Sequence, residues 1–302
     1  MSRTSTVATA RSSAASRPLS APSRGRGSRW QSLLARGTTY ALLIIALAMT
    51  LLPFVWMALG SVKTQNELLQ RPLTWWPKNP TWANFNAWFT DFGFGRYFTN
   101  SLVVAVITVV GNLVFCSMVG YALAKIDFPG RRALFVTVMV MLMVPGTVTM
   151  IPMFVLIANM GLVNTYPALI LPFLASPLGV FIMRQFMQAI PNELLEAARV
   201  DGAGELRIFF RVVLPLCGPA LATVAIFTFL ASWNNFLWPL VVAQTGDMYT
   251  LPVALSLFST GAHGTDYGLM MAGAVLVVTP ILIVFIFLQK YFIQGVATTG
   301  IK

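Results

Sequence analysis

Six stretches of the 302-residue chain contain no Asp, Glu, Lys, Arg or His, at about 38–60, 98–124, 133–157, 166–183, 214–243 and 268–289. A bilayer core about 30 Å thick needs roughly 20 apolar residues of helix, so each stretch is long enough, or nearly so, to cross. Lipid offers backbone groups no hydrogen bonds, and the period-two alternation of barrel strands is missing, which leaves helices. The pattern predicts an all-α membrane protein with six transmembrane helices. Pro53, Pro145, Pro152, Pro172, Pro177, Pro239 and Pro280 fall inside these spans, so bent and broken helices are expected. The pattern divides the chain into a polar segment, 1–37, rich in Arg, Ser, Ala and Pro, and a membrane domain, 38–302. The first segment lacks the apolar residues to fold and reads as a disordered basic cytoplasmic tail. A cleavable signal or transit peptide competes with that reading, but the apolar run that follows is too long for a signal h-region.

Composition agrees with the pattern: 57% of residues are hydrophobic and 10% charged, against about 25% charged in soluble domains. An ordinary water-soluble enzyme is excluded. The net charge of +11 raises the question of nucleic acid, which a mean hydropathy of +0.76 answers in favour of lipid. The basic residues instead report direction. With the tail inside, sixteen of the twenty Lys and Arg lie in inward-facing segments, and the positive-inside rule places both termini in the cytoplasm.

The raw material for chemistry is sparse. Cys116 and Cys217 have no CxxC spacing or companion His, so neither a disulfide framework nor a metal site is expected. The one histidine, His263, sits in a Gly-rich loop and reads as a solvated residue. Pumps, proton-coupled carriers and voltage sensors carry charges inside their spans, and a membrane enzyme acting on lipid-linked substrate would need clustered acids, bases or nucleophiles. The spans offer neither, so no cofactor is expected and the energy source lies outside the bilayer.

The inward loop 184–213 holds four of the nine acids. Asn192 is a fair N-cap and Glu193 suits the first turn of a short helix. Leu194, Leu195, Ala198 and Val200 give that helix an apolar side, Glu193, Glu196 and Arg199 a polar one, and Gly202-Ala203-Gly204 breaks it. A second amphipathic stretch runs from Glu205 to Val213. Two readings stay open: a connector lying on the lipid headgroups, or a knob gripped by a cytoplasmic partner.

Here the residues resemble a family. Glu196-Ala197-Ala198, three residues, Gly202, nine residues, then Val212-x-Leu214-Pro215 is similar to the EAA-x3-G-x9-I-x-LP motif of bacterial ABC importer membrane subunits, with Val212 in place of Ile. Asp201-Gly202-Ala203 resembles the form usual in carbohydrate uptake. Trp233-Asn234-Asn235-Phe236-Leu237-Trp238-Pro239-Leu240, Thr250-Leu251-Pro252 and Gln289-Lys290-Tyr291-Phe292-Ile293-Gln294-Gly295 resemble the second permease of maltose-type and glycerol-phosphate-type importers.

The resemblance implies the type I ABC importer permease fold in the plasma or inner membrane. It also implies a heterodimer with a second permease, a cytoplasmic ATPase dimer, an extracytoplasmic solute-binding protein and a sugar substrate moved by alternating access. Such a chain is a transport subunit and no enzyme. Glu196, Ala197, Ala198, Asp201, Gly202 and Ala203 would couple it to the ATPase, with Leu214 and Pro215 fixing the return into the membrane. Permeases for polyamines or amino acids are the alternative within the same class. Trp233, Asn234 and Asn235 combine an aromatic face with amides, as a sugar path requires, although Trp also anchors at interfaces and Asn links helices. The outward segments 61–97 and 244–267 fit a docking face for the binding protein. Trp75, Trp76, Trp82 and Trp88 in the first of them equally suit headgroup anchors or packing residues.

Overall fold

The computed structural model describes residues 27–261 and 264–297. Most of the basic tail, residues 1–26, and His263 lie outside the described residues. The chain divides into two units, 1–53 and 54–302. Helix α1, Gly27–Ser61, carries the first span and opens eleven residues ahead of the expected one, so that 27–37 are helical. Its side chains from Tyr40 to Leu52 are exposed.

Among the described residues, three helices are long and apolar enough to cross a membrane without a break: residues 36–61 of α1, 94–125 and 267–287. The other three expected spans are bent pairs, giving six if each pair is one span. In the third, α5 (Arg131–Met143) and α6 (Gly146–Asn159) meet at 104° across Val144-Pro145. Pro145 removes an amide donor and biases Val144 to the extended backbone that it adopts. In the fourth, α7 (Tyr166–Ile170) and the 3₁₀ turn Leu171–Phe173 turn by 41° into α8 (Pro177–Gln188), where Ser176 caps the amide of Gly179.

Between α1 and the second span lie α2 (Gln65–Leu69) and α3 (Ala83–Thr90). The second span is α4, Phe94–Lys125, 32 residues without a break. After α8 come α9 (Asn192–Val200), α10 (Glu205–Ile208), a π turn over Phe209–Val213, and α11 (Leu214–Leu216). The chain then bends by 81° into α12 (Gly218–Trp233). The fifth stretch, expected to reach 243 as a kinked helix, stops at Trp233 and resumes as α13 (Leu237–Val242). The last helices are α14 (Leu251–Phe258) and α15 (Tyr267–Ala297). Among the described residues the only strands are β1 (Thr260–Gly261) and β2 (Gly264–Thr265), a two-residue antiparallel pair.

α4 is the central element, packed on α8 and α12, and α12 packs in turn on α15. One face of α4 carries small residues, so α8 approaches closely: a Cβ at Gly120 would lie 2.8 Å from Met183 Cβ and 3.0 Å from the Arg184 amide nitrogen. The same helix buries polar side chains that join it to other elements, as expected where lipid removes the hydrophobic drive between helices. Asn112 donates to the Phe173 carbonyl at 2.6 Å, and Asn100 accepts from the Tyr166 hydroxyl at 2.6 Å.

Buried side chains gather in three clusters. One surrounds Tyr121, Met183, Met187, Leu195, Phe209 and Cys217. A second joins Trp88, Tyr97, Trp233, Leu251 and Leu269, and a third joins Val104, Ala168, Leu169 and Trp238. Trp88 is therefore a packing residue, its indole donating to the Leu269 carbonyl at 2.9 Å. Trp75, Trp76 and Trp82 are exposed.

Candidate functional site

The loop between α8 and α12 folds around one well-capped helix. α9 ends at Val200 with Asp201 as C-cap and Gly202 at φ +77°. Ala203 N donates to Ala198 O, and Gly202 N to Arg199 O, both at 3.0 Å. These are the two bonds of a Schellman motif, whose C′ residue needs the left-handed backbone that glycine adopts without cost. Ala198 and Ala203, the two residues joined by the outer bond, both pack against the cluster around Tyr121. The spacing from Ala198 to Gly202 thus has a local physical reason: it closes the helix and turns the chain back.

α9 is anchored by a single buried side chain, Leu195, 2% exposed, worth about 1.5–3 kcal/mol by burial. Leu194 is 46% exposed and Val200 88% exposed, so the four-residue apolar side expected for this helix is not turned inward as a whole. Glu196, Ala197 and Asp201 are exposed as well. Asn192, expected as N-cap, lies inside the helix with Pro191 in the cap position. Its Oδ1 instead accepts from Lys125 Nζ at 2.7 Å.

Two groups that composition and spacing did not single out for this role hold the loop in place. The Tyr121 hydroxyl donates to Glu205 Oε2 at 2.7 Å, and Glu205 Oε1 accepts from Arg199 Nε at 2.9 Å. That hydrogen bond, with the carboxylate's charge, holds the Arg199 guanidinium above its ordinary range. Lys125 Nζ also donates to the Ile190 carbonyl at 2.5 Å. Tyr121 and Lys125 stand four residues apart, on one face near the C-terminal end of α4. Leu214 packs against the same cluster. Pro215 is exposed beside it in α11, ahead of the 81° bend.

The three residues expected along a substrate path separate. Trp233 is 1% exposed and its indole donates to Val277 O at 3.0 Å, joining α12 to α15. Asn234 Nδ2 donates to Leu230 O of its own helix at 2.9 Å. Asn235 lines a cavity of about 300 Å³ together with Thr108, Asn112, Ser176, Thr228 and Ser232. Phe173 and Phe227 are also in the lining, which is mainly apolar and, among the described residues, holds no charged side chain. Thr108 Oγ1 is buried with no hydrogen-bond partner.

Bent apolar helices long enough to cross a membrane, around a mainly apolar cavity edged by Asn, Ser and Thr, mark a membrane-embedded protein. The family model described as the inner membrane component of binding-protein-dependent transport systems matches residues 116–298. The chain belongs to that family. It is 45% identical over 253 residues to an arabinooligosaccharides transport system permease protein of Halalkalibacterium halodurans, covering 83% of this chain and 90% of that one. A diacetylchitobiose uptake system permease protein of Streptomyces coelicolor is 36% identical, covering 83% and 84%. A chain in the crystal structure of a bacterial ABC transporter importing the acidic polysaccharide alginate superposes with a TM-score of 0.78 at 24% identity, covering 90% of this chain and all of that one. The fold is that of ABC importer permeases.

Proposed function

We propose that this permease carries a neutral oligosaccharide, with a second permease as heterodimer partner, a cytoplasmic ATPase dimer and an extracytoplasmic binding protein. Both termini face the cytoplasm, and 1–37 and 38–302 act as tail and transport domain. Glu196, Ala197, Ala198, Asp201, Gly202 and Ala203 form the element the ATPase grips, and Leu214 and Pro215 set its return into the membrane. The observation that carries this reading is α9 itself: a Schellman-capped helix that presents Leu194, Val200 and two carboxylates to the surroundings. A connector lying on headgroups needs no such rigid cap. ATP binding would displace α9 and open the pathway outward, supplying energy to spans that hold no charge.

Neutral cargo follows from the cavity, where amides, hydroxyls and aromatic faces meet without a cation to balance an acid. Of the three path residues Asn235 has the direct contact, Asn234 ends its helix beside it and Trp233 holds the wall. Uptake by the intact importer in membrane vesicles, with labelled arabinotriose, diacetylchitobiose and an alginate trisaccharide offered singly, tests this. Uptake of a neutral sugar alone is expected, and uptake of the alginate fragment alone overturns it. Asn235→Ala removes one hydrogen-bonding amide and is expected to slow sugar uptake about three- to tenfold at unchanged membrane level. An unaltered rate removes Asn235 from the path.

A further inference from the structure

α4 holds the loop helix at two points. At the C-terminal side of α9, the Tyr121 hydroxyl reaches Glu205, which Arg199 of α9 also holds. At the N-terminal side, Lys125 reaches the Ile190 carbonyl and the Asn192 side chain. Residues four apart on a helix share a face, so both ends of α9 are tied to one face of one helix. A single attachment would act as a pivot; two resist rotation as well as translation. Tyr121 is 4% exposed with its ring 5.3 Å from that of Phe209, which fixes the direction of the hydroxyl.

At its other end α4 holds a second segment, Asp247 to Leu251. Asn100 Nδ2 donates to the carbonyls of Asp247 and Tyr249 at 2.8 and 2.9 Å, and Ser101 Oγ accepts from Leu251 N at 2.8 Å. Arg96 pairs with Asp247 at the same place. Between the two attachments α4 is unbroken, and 32 residues of helix span about 48 Å. The bent spans on either side contain breaks through which a displacement would dissipate.

We propose that Tyr121 and Lys125 are positioning residues that fasten α9 to α4, so that movement of α9 carries α4 as a rod and shifts the Asp247–Leu251 strap at the opposite face. The proposal rests on the coupling role of α9 given above. Glu205 belongs to the same device, since it accepts from Tyr121 and Arg199 together.

The test uses the complete importer in nanodiscs, with nitroxide labels at Arg207→Cys near α9 or Gly246→Cys beside the strap, and ATP with orthovanadate as the trapping probe. Both native cysteines are buried, so the labels report the introduced sites. In the otherwise native chain both labels change line shape on trapping. In Tyr121→Phe with Lys125→Met, the Arg207 label still responds and the Gly246 response is lost. Tyr121→Phe alone, which removes one oxygen atom, gives a partial loss, and Tyr121→Phe with Lys125→Arg, which keeps the second donor, recovers most of the response. A merely structural role for these residues would not move the two labels apart. An undiminished Gly246 response in the double variant overturns the proposal. A native Arg207 label that ignores trapping overturns the coupling reading itself and the latch with it.

Discussion

Gly202→Val is expected to lower uptake steeply while the chain still inserts and accumulates at its native level. Gly202 sits at φ +77° with open space around it, so the effect is conformational and not steric crowding. A left-handed backbone costs an ordinary L-residue about 1–2 kcal/mol, and a β-branched one is a genuine outlier there. The valine chain relieves that strain by giving up the bonds from Gly202 N and Ala203 N that close α9. Arg199 then loses its register with Glu205, and the exposed face of α9 points elsewhere. Uptake is expected to fall about tenfold or more, whereas Gly202→Asn, which visits the left-handed region readily, retains most of it. Labelled-sugar uptake normalised to membrane protein reads both variants. Native transport by Gly202→Val contradicts the coupling assignment.

The second large effect is on assembly. Gly120→Leu places a branched side chain where even a Cβ would stand 2.8 Å from Met183 Cβ and 3.0 Å from the Arg184 backbone. Neither neighbour can move freely, since Met183 is fully buried in the cluster that also holds Leu195 and Phe209. Overpacking of one or two methylenes costs about 1–3 kcal/mol, and four added carbons at a helix crossing exceed that range. Separation of α4 from α8 and loss of folded protein in the membrane are expected, read as a lower melting temperature and earlier proteolysis in detergent. Gly146→Ala, where a Cβ meets nothing within 4 Å, is the matched control and stays near native. Equal stability of the two variants would mean that the α4–α8 crossing is not the packing centre described above.

The spans were legible because charge exclusion over 20 residues has one physical cause, the bilayer. Their breaks were legible only in part. Pro145 and Pro177 mark real turns, but Pro53, Pro152 and Pro280 lie inside continuous helices, and tertiary packing decides between the two outcomes. The Gly202 turn was readable because its cap uses residues within six positions of one another. The Tyr121–Glu205 and Lys125–Asn192 contacts join residues 84 and 67 apart, and no local pattern marks such pairs. Asn192 shows the same limit: its propensity favours a cap, but a lysine from another helix claims the side-chain oxygen. Trp233 and Asn235 are two residues apart, yet one closes the core against α15 and the other faces a cavity. The helix ends between them, and periodicity could not say where each would turn.

The 104° break at Val144-Pro145 has a further consequence. Counted as one span, α5 and α6 place it near the middle of the membrane, where Met143 and Val144 are exposed. Irregular backbone at that depth persists only when protein or water covers it. On the heterodimer proposed above, the second permease supplies that cover, and a chain without it is an orphan in lipid, so the amount a cell retains is set by the scarcer of the two.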